Sequence, residues 1–448
     1  MKLCTENKYY YVSFLALFIF IILRQWERIH YLTLYAEDGG LFLPRTVTYG
    51  YKAILMSYAG YLQVAPQLVS LLSYHITLIY YPIATLFICS FIYTYAISLI
   101  IGSSYSWINS NQAVRFFIAL SLTFIPGTPE ILGNLANLHT VLFILVTFRL
   151  MARFDEKYTL LDYVIFILTA FSAGEFFLIL PILLYRIFII YKFKLKSIHI
   201  VQHLIILCIM VMLIIINYKL ATSDRIIVSK NLVDVTFYLA RYLPNFLLTV
   251  SNRLFYLPFL GNLTILLNHY YATSIAIGVG LLFLTIIISI TKKMYIDSYF
   301  ILLIMALVAQ MLEILLTVTV REAAAKTAFL GQLTEITSLR VRYCIFMMPI
   351  IIIFWQVFVN KLLEKLNWRK LTISVILVVT SLYTIRMNHD RLILRNFYGI
   401  PHEKLDEKYL WPYNAQLIYN MLHDGNPETL TLPSAPMGWH LTISQPQK

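Results

Sequence analysis

The chain reads as an all-α polytopic membrane protein with about eleven spanning helices, long outer loops and a small C-terminal appendage. Three observations predict this. Hydrophobic residues make up 60% of the 448 residues, with a mean hydropathy of +0.74; average globular usage is about 45–50% apolar. The apolar residues fall in runs separated by short polar breaks, matching the roughly 17–25 residues with which a helix crosses a bilayer. Lys and Arg collect on alternate breaks, as expected where cytoplasmic loops hold the positive charge.

The first run, 10–23, follows Lys2 and Lys8. Arg24-Gln25-Trp26-Glu27-Arg28 comes next, with no small-residue cleavage site, so an uncleaved first span is expected rather than a signal peptide. Further spans are expected at 78–101, 114–125, 131–151, 160–173, 176–191, 198–217, 273–290, 298–317, 343–363 and 371–385. With the N-terminus inside, the cytoplasmic segments hold Arg149, Arg153 and Lys157, then Arg186, Lys192, Lys194 and Lys196. Lys292 and Lys293 follow, then Lys361, Lys365, Arg369 and Lys370. The opposite short turns, 126–130 and 172–175, contain neither Lys nor Arg. The C-terminus is therefore expected outside, in the periplasm of a Gram-negative host.

Three outer segments are long: 24–77, 218–272 and 318–342. The second contains an aromatic stretch, 237–256, expected to lie flat on the membrane. Residues 1–387 are thus expected to form the membrane domain. The tail, 388–448, is too aromatic for a solvated tail and is expected to be a small folded appendage.

The net charge of +13 and pI of about 9.3 follow from the cytoplasmic basic residues, and no basic and aromatic cluster suggests a nucleic-acid partner. Gly-rich phosphate loops are absent from the sequence, so the substrate is expected to be lipid-linked or already exported. Cys4, Cys89, Cys208 and Cys344 have no metal or disulfide spacing and are expected to be small buried hydrophobes.

Candidate chemistry lies in the outer segments. Glu37-Asp38 is an acidic pair directly after the first span, where carboxylates are costly near hydrocarbon. Asp38 can cap a helix beginning near Gly39, or one of the pair can act as a general base. Glu130, Asn134 and Asn137 stand at i, i+4 and i+7, so a helix would place them on one face, with His139 on roughly the opposite face. Such a stripe lines a cavity or a helix contact. Arg340, Arg342 and Arg45 offer guanidinium forks for phosphate or anchors for lipid headgroups. Glu175 sits in a short turn, where a solvated carboxylate is expected. An outer carboxylate taking a proton from an incoming hydroxyl, with Arg stabilising a departing phosphate, suits glycosyl transfer from a polyprenyl-phosphate sugar.

Several segments resemble one family. Glu37-Asp38-Gly39, then Tyr58-Ala59-Gly60-Tyr61-Leu62 and Pro66, resemble the first periplasmic loop of bacterial GT-C-type membrane glycosyltransferases. The serotype-converting O-antigen glucosyltransferases are the nearest in kind. Gly133-Asn134-Leu135-Ala136-Asn137-Leu138-His139 resembles their Gly-Asn-x-x-Asn-x-His/Gln segment. Ser172-Ala173-Gly174 with Leu180-Pro181, Arg342-Tyr343 with Pro349, and Pro436-Met437-Gly438-Trp439 resemble later elements, in the expected order. Two positions depart from the pattern: Thr140 stands where an aromatic residue is usual, and Glu175 where Pro is usual.

The resemblance implies a GT-C-like fold and an inverting transfer of glucose from undecaprenyl-phosphate glucose to an O-antigen repeat on its lipid carrier. It implies an acidic residue of the first loop as base, Glu37 or Asp38; Asp38 is the first choice, with Glu37 orienting it or the acceptor. Glu130, Asn134, Asn137, His139, Glu175, Tyr61 and Gln63 would line the sugar site, and Arg342 with Arg45 or Arg340 would hold the donor phosphate. Trp411 and Trp439 of the tail would stack on acceptor sugars. No cofactor is implied, although Glu37, Asp38 and Glu130 can in principle bind a divalent metal. A lipid-glucose flippase and a lipid-glucose synthase would be functional partners. The rival readings are an O-antigen polymerase and a lipid-linked glycan flippase, the latter expected to carry charge within its spans.

Overall fold

In a computed structural model the chain is described at residues 2–32, 34, 37–58, 61–125, 132–220, 247, 250–260, 270–320, 347–387, 411–424, 429–434 and 439–444. The protein is mostly helical. Its helices follow the apolar runs: α1 (Lys2–Arg24), α2 (Trp26–Tyr31), α3 (Leu43–Tyr49), α4 (Val64–Ile76), α5 (Tyr81–Ser98), α6 (Gln112–Leu122), α7 (Leu138–Met151) and α8 (Leu160–Ala170). Then come α9 (Leu180–Lys192), α10 (Ser197–Leu220), α11 (Tyr271–Thr291), α12 (Ser298–Val320), α13 (Met347–Lys365), α14 (Lys370–Met387) and α15 (Trp411–Asp424). Strands β1 (Ser57–Tyr58) and β2 (Tyr61–Leu62) pair antiparallel, as do β3 (Thr429–Ser434) and β4 (Trp439–Ser444). Among the described residues two helices, Tyr81–Ile101 and Ala272–Thr291, are long and apolar enough to cross a membrane.

Local chemistry sets the helix starts. Pro82 and Pro181 open α5 and α9 in the first turn, where a missing N–H costs nothing. The Asn111 side chain accepts from Ala113 N at 2.9 Å to start α6. Thr159 and Asp162 form a reciprocal capping box at α8. Asp162 is also paired with Arg149 at the end of α7 (2.5 Å).

The two ends of the bundle differ chemically. At one end, buried Arg186 fans its guanidinium into the carbonyls of Leu150, Ala152 and Arg153, and its Nε donates to His203 Nε2 (2.9 Å). This satisfies the open carbonyls at the end of α7. Trp107 and Phe154 both stack on Tyr299 at that end, and Lys361 pairs with Asp297 (2.6 Å). The basic residues expected to be cytoplasmic are those around this end. At the other end gather the described parts of segment 24–77, the 132–139 segment, the Ser172–Gly174 turn and the described part of the tail.

Segment 24–77 is largely ordered rather than a loop. After α2 it forms a π-helical turn, Asp38–Phe42, that runs into α3, then a 3-10 turn, Gly50–Leu55, the β1–β2 hairpin and α4. α4 exposes an apolar side, and its buried side mixes polar residues with Ala65, Val69 and Leu71. Gln67, Ser70 and Ser73 are buried, while Leu68, Leu72 and Ile76 are exposed. The tail is folded where described, and β4 packs on Asp38–Phe42 and on α3. Trp411 N donates to Leu32 O, and its indole Nε1 to Leu78 O, both at 2.8 Å.

Four expectations are corrected. The helix expected at 131–151 begins only at Leu138, because 132–137 is a pair of turns. Within the aromatic stretch, Leu254, Phe255 and Tyr256 are buried, and Trp355 Nε1 donates to Leu254 O (2.6 Å). That part is packed against α13, not laid on a membrane; 237–246 lies outside the described residues. Trp411 is only 1% exposed, with its indole N–H committed, so it anchors the tail and has no face for a sugar. Cys89 is buried as expected, but Cys208 is exposed on an outward apolar face of α10.

Candidate active site

Asp38 opens the π-helical turn, with Glu37 just before it. It makes no capping bond to its own helix, and the expected surface cap is not formed. It is instead buried, 1% exposed, and is held by chain from elsewhere. Its Oδ1 accepts from Leu135 N (2.9 Å) and Ala136 N (3.4 Å). Its Oδ2 lies 3.8 Å from Arg28 Nη2, an ion pair longer than a hydrogen bond. Tyr81 and Cys89 of α5 are within electrostatic reach. Burial pushes the Asp38 carboxyl up to about 7; Arg28 and the two backbone N–H groups pull it down by less, and Glu37 pushes it up further. Glu37 is half-buried and is the more accessible member of the pair.

The segment that meets Asp38 is shaped by Gly133 and Asn134. Gly133 has φ +65°. A Cβ there would lie 2.4 Å from Gln25 Oε1 and 3.0 Å from Arg28 Nη1, so only glycine fits against α2. Asn134 Oδ1 accepts from Ala136 N (2.7 Å), an Asx turn that aims the 135 and 136 N–H groups at the carboxylate. The expected helical face of Glu130, Asn134 and Asn137 therefore does not exist at 134–137. Asn134 is buried under the acid, whereas Asn137 is half-exposed at the start of α7.

His139 is one residue into α7. Its Nδ1 bonds Ala136 O (2.7 Å) and its ring meets Tyr61 edge-on. The Tyr61 ring lies over Gly174, and Ser172 Oγ accepts from Ala65 N (2.8 Å). The first segment, the Asn segment and the Ser-Ala-Gly turn, far apart in sequence, thus share one surface. Gln63 is buried at the start of α4. The Gln63 amide oxygen and the Asn134 amide nitrogen have no hydrogen-bond partner among the described residues.

Arg45 donates to Ser57 O (2.9 Å), tying α3 to the β1–β2 hairpin. Glu130, Arg340 and Arg342 lie outside the described residues, as do the side chains of Glu175 and Trp439. Among the described residues no cluster of three His, Cys, Asp or Glu has metal-site geometry. Sequence reasoning missed Gln25 and Arg28, which it read only as the flank of the first span. Their spacing of three, which puts both on one helix side, was the available signal. It also missed the buried hydroxyl chain from Thr46 Oγ1 to Ser70 Oγ (2.7 Å) and Tyr81 OH (2.8 Å).

Comparison with protein-family models, with curated proteins and with solved structures found no match for this chain.

Proposed function

We propose that the protein is a multi-pass inner-membrane glucosyltransferase with a GT-C-like fold, acting on the periplasmic face. It moves glucose from undecaprenyl-phosphate glucose to an O-antigen repeat on its lipid carrier. The observation that carries this reading is the Asp38 carboxyl. It is buried and poised near pH 7, where the first segment, the Asn segment and the tail converge. A general base works best with its affinity near the ambient pH. Membrane residence is supported by α11, where only 11% of the spanning window is buried inside the protein. Its exposed Ile277, Phe283, Leu284, Ile287 and Ile290 would be ruinous in water.

In the proposed step the acceptor hydroxyl gives its proton to Asp38 Oδ2, the oxygen free of backbone N–H bonds. Its oxygen bonds to the sugar C1 as the C1–O bond to phosphate breaks, and undecaprenyl phosphate departs with the electron pair. Glu37 orients the acceptor, while Asn134, Asn137, Gln63, Tyr61 and His139 meet sugar hydroxyls. The donor phosphate is assigned to Arg342 with Arg45 or Arg340. No metal is needed for the step.

The test is the mass of O-antigen repeats from a host supplied with the donor pathway, with and without this gene. The expected result is one added hexose per repeat, lost in Asp38→Asn at equal expression. Unchanged repeat mass with altered chain length would favour a polymerase instead, and transfer by Asp38→Asn would remove Asp38 as base.

A further inference from the structure

α2 is only six residues long, yet Arg28 joins three parts of the chain. Its Nη1 donates to Leu132 O (2.7 Å), at the start of the turn that supplies N–H groups to Asp38. Its Nη2 faces Asp38 Oδ2. Its own carbonyl accepts from Leu32 N (3.1 Å), and the Leu32 carbonyl accepts from Trp411 N at the foot of the tail. The arginine is 4% exposed. Gly133 lies close to its guanidinium, where a Cβ would sit 3.0 Å from Nη1, and the Arg28 backbone N donates to the carbonyl of Gln25 (3.0 Å), whose side-chain Nε2 donates to Ser90 Oγ of α5 (2.8 Å).

We infer that Arg28 is a positioning residue: one arm of its fork fixes the 132–136 turn, and the other sets the orientation and charge of Asp38. A planar guanidinium can serve both at once; an ammonium is a single point charge. This role rests on the proposed reading for its catalytic meaning, but its electrostatic part stands alone. The groups facing Asp38 among the described residues are few. Glu37 adjoins it, Arg28 faces it from α2, and Tyr81 and Cys89 face it from α5. The 132–136 turn offers backbone N–H only. Arg45 on α3 is engaged with Ser57 O, α4 brings the uncharged Gln67 and Ser70, and His440 on β4 is exposed. Arg28 is thus the cation that opposes the burial of Asp38.

The experiment follows the proton directly. A hydrophobic carbodiimide attacks protonated carboxyls, and the fraction of Asp38-containing peptide labelled in membranes is measured by mass spectrometry across pH. Wild-type labelling should fall with a midpoint near 7. In Arg28→Gln the midpoint should rise by about 1 to 3 pH units, the effect of removing an opposite charge at this range. Arg28→Lys keeps the charge and should keep the midpoint, while lowering kcat with little change in KM because the fork is lost. An Arg28→Gln midpoint equal to wild type overturns the inference. So does an Arg28→Lys enzyme with wild-type kcat, which decides the matter if the glutamine variant fails to accumulate. Labelling reports the proton and not the sugar, so failure of the glucosyltransferase reading leaves this result intact, and the reverse also holds.

Discussion

The raised proton affinity of Asp38 makes stability depend on pH in an unusual direction. Its carboxyl moves from 3.8 to about 7 on folding, chiefly because burial disfavours the ionised form. The native state therefore holds this proton more tightly than the unfolded chain. Its contribution is fully present below about pH 3.8 and is lost as pH rises through 7. The interval is about three pH units, from 7 minus 3.8, and each unit is worth about 1.4 kcal/mol, so the loss is about 4 kcal/mol. Asn at position 38 does not titrate. The informative quantity is thus the stability of wild type relative to Asp38→Asn as a function of pH. Thermal unfolding in nanodiscs, followed by tryptophan fluorescence from pH 4.5 to 8, should show this difference falling as pH rises. Parallel curves for the two proteins would mean that Asp38 binds its proton equally in both states, and the argument for a base poised near neutrality would fail.

Three further outcomes follow from packing. Gly133→Ala should destabilise by at least about 1–2 kcal/mol from the positive φ alone, with the Cβ clash against Gln25 added; thermal unfolding checks it, and the Asp38 labelling midpoint should move with it. Trp411→Phe leaves the half-buried Leu78 carbonyl without its indole donor, at about 0.5–1.5 kcal/mol. Limited proteolysis should then release the tail sooner than in wild type. Asp162→Asn breaks a largely buried pair with Arg149 and should cost about 3 kcal/mol or more, seen as a lowered unfolding temperature at the end of the bundle opposite Asp38.

The helices were legible because their signal is local: run length, a proline or an Asx cap at the start, and charge at the ends. The start of α7 was misread for an equally local reason. The spacing of Asn134 and Asn137 fits a helix face, but Gly133-Asn134 is also a turn dipeptide, and the turn won because it lets the backbone reach Asp38. The acidic pair stood out in the sequence because charge at that position needs a reason, and Asp38 is indeed buried. Arg28 was not, because its partners Leu132 and Asp38 become neighbours only after folding, 104 positions away in the first case. Trp411 was misassigned because an aromatic residue in a polar tail looks the same whether it stacks on a ligand or anchors the tail.

The uncharged polar residues buried on α4 account for why a single arginine decides the state of Asp38. In a water-facing helix the polar side points outward and solvates whatever charge is near it. Here Gln67 and Ser70 point inward, toward Thr46 and Tyr81, and Leu68, Leu72 and Ile76 point outward. The interior beside Asp38 thus contains amides and hydroxyls, which hydrogen-bond but carry no net charge, and it excludes bulk water. Such surroundings weaken ionisation of a carboxyl without abolishing it, provided that one cation lies close. With Arg28 at 3.8 Å the balance falls near neutrality. A shorter, fully bonded pair would hold Asp38 ionised and weakly basic, whereas no cation would leave it protonated and unable to take up a further proton. In the proposed reading, the long Arg28–Asp38 distance is the geometry that suits a base working near pH 7.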